Sequence, residues 1–244
     1  MRRGTGLRAR MKSCKKFIEN IIGADDPVRP MKKIRKISRD RVPSLPNENI
    51  TNYYKRRGSM KQYNEIYEIV KSRLSEYRLH HSECVARRCV ELADIYNVDQ
   101  DVARLVGITH DIAKEMPHEE KIEYCKQNHL EIDDIEAGNP GLLHAKVGAH
   151  IAKKEFGFSE DLCSAIKYHT TGKENMSLLE KIVYVADMTS NDRDFPKKEE
   201  LVKLANRNLD ECVKYILKLG IAQMMSADKK IHLNSIKALN FFMK

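Results

Sequence analysis

Apolar residues recur at helical spacing from residue 61 to the C-terminus. Val85, Cys89, Leu92 and Tyr96 stand at i, i+4, i+7 and i+11, one stripe of an amphipathic helix over 80–97. The same pattern predicts helices over 62–77 and over 100–114, the latter on Val102, Leu105, Val106 and Ile112. Pro117 opens the next helix, because proline suits a first helical turn. "AGNPG" (137–141) predicts a loop. Helices follow over about 143–156, 159–169, 177–189, 197–219 and 221–242, the last broken near Asp228 and Asn234. "KIVYVAD" is rich enough in β-branched residues to suit a strand. It lacks flanking turn signals and a partner strand, so it too reads as helix. There is no internal repeat. The predicted fold class is all-α, a packed multi-helix domain.

Residues 1–59 break this pattern. Gly, Pro, Asn and Ser interrupt them, apart from a short helical stretch, "CKKFIENII". They hold 17 Lys/Arg against 5 Asp/Glu, whereas residues 60–244 hold 27 against 30. The net charge of +9 therefore belongs to the first quarter of the chain, and the remainder is mildly acidic. The expected organisation is a basic, partly ordered extension over 1–59 and one folded domain over 60–244, with Met60 as an alternative start. The basic arm suits a weak contact with RNA or a membrane surface, and nothing extends that expectation to the main domain. No apolar run reaches the ~18 residues that span a bilayer. No signal-type apolar segment follows the basic N-terminus. Cys14, Cys84, Cys89, Cys125, Cys163 and Cys212 form no Cys-x-x-Cys pair. They read as reduced thiols of a cytoplasmic protein, which argues against a zinc-thiolate site.

Six ionisable residues fall on the inward side of these helices. His81 precedes Val85 by four, and His110 follows Val106 by four. Asp111 lies one step round the helix from His110. His144 opens a helix whose inner face carries Val147, Gly148 and Ile151, and His169 ends one running through Leu162 and Ile166. Asp187 closes "LLEKIVYVAD", apolar almost all round, so it is expected in the interior. One inward His is ordinarily a hydrogen-bonded core residue. A buried Asp without a partner costs several kcal/mol. Four His and two Asp together are better explained by one shared metal centre. Imidazole with carboxylate favours Fe, Mn, Co, Ni or Zn. Six donors exceed the need of one ion that also holds water, so two ions bridged by Asp111 use them better. Such a centre suits hydrolysis of a phosphate ester or anhydride.

The ordered set His81, His110-Asp111, His144, His169 and Asp187 resembles the HD-domain phosphohydrolases. The flanking words "RLHHSECV", "THDIAK", "GLLHAKVGA", "AIKYHTTGKENMSLLEKIVYVAD" and "IHLNSIKALN" resemble the YqeK family of symmetrical bis(5'-nucleosyl)-tetraphosphatases, from about residue 62 to the C-terminus. The resemblance implies an HD-domain helical bundle around two buried divalent metal ions, often iron. It implies cleavage of diadenosine tetraphosphate, a dinucleoside polyphosphate, into two ADP. One ion would be held by His81, His110, Asp111 and Asp187, the other by Asp111, His144 and His169. His80 would be a surface neighbour. Lys114 would reach phosphate oxygens beside the catalytic Asp111. Thr170, Thr171, Gly172 and Lys173, a polar turn after a ligand, would bind substrate, with Arg193 as a further contact and Met176 near the base.

The chain also departs from the family. After Asp187, members read Asp-Tyr-Ile-Glu-Pro before an Arg, whereas Ser190 and Asn191 replace the Glu and Pro here. Lys173 stands where Arg is usual and lacks the bidentate fork of a guanidinium. Metal binding is expected to survive both changes, and substrate preference is the property they touch. Two other readings therefore stay open: the same chemistry on another nucleotide, and a nucleotide- or RNA-binding regulator with this core as scaffold.

Overall fold

The computed structural model describes residues 62–243. The expectations for the basic extension and for Met60 lie outside these residues. Among the described residues are eleven α-helices, one short 3-10 turn and no strand, as the hydrophobic pattern predicts. In chain order they are α1 (Tyr63–Arg73), α2 (Glu76–Ile95), α3 (Gln100–Thr109), α4 (His118–Gln127) and α5 (Asp134–Gly138). The 3-10 turn Pro140–Leu142 precedes α6 (Leu143–Phe156). Then come α7 (Glu160–Lys167), α8 (Leu178–Thr189), α9 (Lys198–Arg207), α10 (Leu209–Ser226) and α11 (Leu233–Phe242). No described helix is long and apolar enough to cross a membrane.

The centre of the bundle is α8, the "KIVYVAD" segment. It touches α2, α3, α7, α9 and α10. Ile182, Val183, Val185 and Ala186 are fully buried, each larger side chain contributing roughly 1.5–3 kcal/mol by leaving water. Its start is fixed by a capping box, in which Ser177 accepts from the Glu180 amide and Glu180 accepts from the Ser177 amide. Arg88, itself buried, joins α2 to this core by donating to the Thr189 hydroxyl of α8 and to the Asn206 side chain of α9.

Several boundaries differ from the hydrophobic pattern, and polar caps account for them. The expected first helix stops at Arg73, because Ser75 caps α2 by accepting from the Arg78 amide at 3.3 Å. The expected 197–219 helix is split at Asn208, which caps α10 by accepting from the Glu211 amide, while Gly220 lies inside α10. The break near Asp228 is present, whereas Asn234 is already within α11. The "AGNPG" stretch is partly helical, since Asp133 and Glu136 form a capping box for α5.

Two local features position the site. Helix α3 ends at Thr109, and the chain turns through residues 110–115 instead of continuing to 114. The Glu115 carboxylate then accepts from both the amide and the hydroxyl of Ser75, at 2.6 and 2.7 Å, tying this turn to the start of α2. Above it, α2 and α3 cross in near backbone contact. A Cβ on Gly107 would stand 2.7 Å from the Ala86 Cα.

Candidate metal centre

The six residues singled out in the sequence meet at one place. Their arrangement differs in one respect from six positions on helix faces. His81 is on α2, His144 on the first turn of α6 and Asp187 on the last turn of α8. His110, Asp111 and His169 sit in the turns that follow α3 and α7. His81, His110, Asp111, His144 and His169 are all at most 3% exposed. Asp187 is less completely buried than expected. Its side chain is 20% exposed at the rim, where Arg193 pairs with it.

Each imidazole is fixed through Nδ1. His110 donates to the Gly107 carbonyl at 2.8 Å, His144 to Gly141 at 2.6 Å and His169 to Ile166 at 2.7 Å. A carbonyl can only accept, so in these three rings Nδ1 carries the proton and Nε2 an open lone pair. His81 Nδ1 instead meets the Asp192 carboxylate at 2.6 Å. All four Nε2 atoms thereby point inward, as metal-ligating imidazoles do when a second partner orients them.

The inner surface is consequently a set of acceptors facing acceptors. His144 Nε2 is 3.2 Å from His169 Nε2. Asp111 divides its two oxygens. Oδ1 stands 3.1 Å from His144 Nε2 and 3.5 Å from His169 Nε2, and Oδ2 stands 3.6 Å from His110 Nε2 and 4.0 Å from His81 Nε2. Asp187 Oδ1 lies 3.1 Å from His81 Nε2. His110 Nε2 and Asp111 Oδ1 are buried with no hydrogen-bond partner. Such orphaned acceptors are costly unless a cation completes them, so the residues present fit a divalent metal site. Three overlapping donor groups have metal-ligating spacing: His81, His110 and Asp111; His110, His169 and Asp187; Asp111, His144 and His169. A fourth, Asp133, Glu136 and His232, already has a cation, because the Lys146 ammonium sits on Glu136.

Electrostatics agree with this donor set at His110, His144 and Asp187. Burial pushes His110 and His144 down to about 4, so both rings are neutral at pH 7. Burial opposes the ionised form of Asp187, but pairing with His81 and the Arg193 charge outweigh it and hold the carboxyl well below its usual range. Burial also opposes a charged His81, yet its contacts with Asp187 and Asp192 win and raise its pKa.

The other expected site residues divide into two groups. Lys114 Nζ is 3.2 Å from His144 Nε2 and 3.7 Å from Asp111 Oδ1. Its carbonyl accepts from the buried Lys121 ammonium at 3.3 Å. The exposed Thr170 places Oγ1 3.2 Å from His169 Nε2 and 3.4 Å from His144 Nε2. Arg193 Nε donates to the Asp187 carbonyl, and its NH2 reaches 3.4 Å from His81 Nε2. Thr171 is half-buried, and its carbonyl accepts from Ser235.

Gly172, Lys173 and Met176 are accounted for differently. Gly172, expected to bind substrate, is buried at φ +65°, and its amide donates to the Tyr168 carbonyl at 2.8 Å. The Lys173 ammonium pairs with buried Glu180 at 2.9 Å. Met176 is 4% exposed in the core, close to where a Gly172 side chain would begin. His80 is exposed, as expected of a surface neighbour. Two residues carry no signal in the sequence pattern. Asp192 orients His81, and Arg78 NH1 donates to Asp111 Oδ2 at 3.0 Å.

The HD-domain family matches residues 78–192, a span that runs from Arg78 to Asp192 and encloses all six donors. The symmetrical bis(5'-nucleosyl)-tetraphosphatase of Bacillus subtilis (strain 168) is 33% identical over 178 residues, covering 72% of this chain and 95% of that protein. Its namesake from Staphylococcus aureus (strain NCTC 8325 / PS 47) is 30% identical, covering 71% and 91%. A crystal structure of a predicted HD superfamily hydrolase involved in NAD metabolism, from Clostridium acetobutylicum, superposes with a TM-score of 0.73 at 38% identity, covering 75% of this chain and 98% of that one. A donor set closed around orphaned acceptors, in a chain with these relatives, places the protein in the HD-domain family of symmetrical bis(5'-nucleosyl)-tetraphosphatases.

Proposed function

We propose that this protein hydrolyses diadenosine tetraphosphate at its central anhydride, giving two ADP, at a centre of two divalent ions. It is a metal-dependent hydrolase of its family. The observation that carries the two-ion reading is the division of Asp111, with one oxygen turned to His144 and His169 and the other to His81 and His110. On this reading His81, His110, Asp111 and Asp187 hold one ion, and Asp111, His144 and His169 hold the other. Iron is the ion suggested by the family resemblance, and Mn, Co, Ni and Zn suit the same donors. Bound ions supply Lewis acidity and lower the pKa of water to a value useful at neutral pH.

The chain's own residues do the rest. The Asp111 carboxylate fixes the spacing of the two halves of the centre. Lys114, its side chain 36% exposed, holds its ammonium beside His144 and Asp111, where it can take a phosphate oxygen. Thr170, whose hydroxyl reaches His144 and His169, lines with Thr171 a cavity of about 140 Å³ that also carries Asp133, Glu136, Lys146 and His232. Arg193 holds Asp187 in place at the rim. The five described cysteines are buried and unpaired, which supports a reducing, cytoplasmic setting.

Product analysis tests the reading. Anaerobically purified protein is incubated with diadenosine tetraphosphate, with and without a strong chelator, and the nucleotides are separated. ADP as the sole product, lost on chelation, is the expected result. AMP with ATP would overturn the symmetrical register. Absence of turnover with metal bound would move the substrate to another nucleotide, and absence of both turnover and metal would favour a binding protein.

A further inference from the structure

Lys121 stands on the first turn of α4 and is 2% exposed. Lysine is almost never so buried without a charged partner. Its ammonium donates to the Lys114 carbonyl at 3.3 Å, and among the described residues no carboxylate lies within ion-pair distance of it. Burial pushes its pKa down and the Lys114 cation adds to this, while Asp111 opposes both. Exchanging a buried cation for an apolar side chain of similar volume is commonly neutral or stabilising, so folding alone does not account for Lys121.

The carbonyl it holds belongs to a residue of the site. Helix α3 ends at Thr109 and α4 begins at His118, so Lys114 lies in the turn between them. The Lys114 amide donates to the Asp111 carbonyl at 2.8 Å, and among the described residues no main-chain amide donates to the Lys114 carbonyl. Lys121 fills that place, so Lys114 is fixed at both its amide and its carbonyl. Side-chain direction depends on the backbone that carries it. The Lys114 ammonium accordingly stands 3.2 Å from His144 Nε2 and 3.7 Å from Asp111 Oδ1. Building on the functional reading above, we infer that Lys121 is a positioning residue, which fixes the Lys114 backbone from the interior and so aims the Lys114 ammonium at the polyphosphate. Lys121 touches no substrate itself. Its effect is to remove freedom that Lys114 would otherwise lose on binding.

The test is a double-mutant cycle on full-length, manganese-loaded protein. The probe is diadenosine tetraphosphate with a methylene in place of the central bridging oxygen, which cannot be cleaved. Its dissociation constant, the metal content per chain and the melting temperature are measured for wild type, Lys114→Met, Lys121→Met and the double variant. Lys114→Met should bind the probe about tenfold more weakly, and Lys121→Met about threefold or more. The double variant should bind within about twofold of Lys114→Met, because a residue that acts through Lys114 has nothing left to aim. Metal content should be unchanged, and Lys121→Met should melt no lower than wild type. A loss below threefold in Lys121→Met would overturn the inference. So would a further loss beyond twofold in the double variant, or unchanged affinity in Lys114→Met. A lower melting temperature with parallel loss of metal would overturn it too, since Lys121 would then support only the fold. If Lys121→Met does not fold, Lys121→Gln decides by the same cycle. Failure of the wild type itself to bind the probe would overturn the parent reading as well, and is visible without any variant.

Discussion

Asp111 is the residue on which the centre turns, because its carboxylate faces all four imidazoles. An amide at this position keeps the shape and loses the charge. Asp111→Asn should therefore leave the fold and its melting cooperativity intact, release metal and abolish ADP formation. Near-wild-type turnover with metal retained would rule out the bridging role. Asp192 acts one step further out, holding His81 through Nδ1. Asp192→Ala should weaken metal binding by roughly 10- to 100-fold in a chelator competition, with helicity unchanged. An unaltered metal affinity would reduce Asp192 to a surface pairing. The six donors are legible in the sequence because each adjoins an apolar stripe that the pattern turns inward. Arg78 and Asp192 are not, since their partners lie 33 and 111 residues away and no periodicity encodes such contacts. Lys173 escapes the sequence for a related reason, because its partner Glu180 is buried only once α8 has docked.

Helix α2 must approach α3 closely for His81 and His110 to share a centre, and their rings lie 5.4 Å apart. Gly107 permits that approach. In Gly107→Ala the new methyl would press on the Ala86 backbone at 2.7 Å and on Cys89 Sγ at 3.1 Å. Backbone cannot yield as a flexible side-chain end can, so the variant should lose about 1–3 kcal/mol in denaturant unfolding, with weaker metal binding. Gly220 gives the opposite case. It lies inside α10, and a Cβ added there would meet nothing within 4 Å. Gly220→Ala should therefore gain up to about 1 kcal/mol from helix propensity. Equal stability of the two variants would show that the α2–α3 crossing has slack. The same contrast shows why helix boundaries are less legible than helix existence. The pattern places a break at Gly220, yet a helix tolerates glycine where packing supports it. The real breaks rest on Ser75 and Asn208, whose caps are single hydrogen bonds invisible to a hydrophobic period.

The folded molecule encloses a group of acceptors, and that choice links stability to both metal and protons. His110 and His144 titrate near 4 in the folded chain, against about 6.5 when unfolded. The unfolded state therefore binds more protons between these values. In metal-stripped protein the contribution is complete above about pH 6.5 and is lost as pH falls through 4, by up to about 3 kcal/mol for each ring. His81 runs the other way. Its pKa is raised, so its contribution is present below about pH 6.5 and fades as pH rises through the folded value, one ring against two. Divalent metal binds the folded chain and adds about 2.7 kcal/mol at a hundredfold excess over its dissociation constant. Protons compete for the same lone pairs, so this gain shrinks on acidification. Thermal melts of chelated and manganese-loaded protein at pH 7.5 and pH 5 separate the two effects. The chelated protein should melt lower at pH 5 than at pH 7.5, and the increment due to manganese should be the larger at pH 7.5. A chelated protein that grows more stable on acidification would mean that the inward nitrogens carry protons, and that the centre is a hydrogen-bonded polar core rather than a metal site.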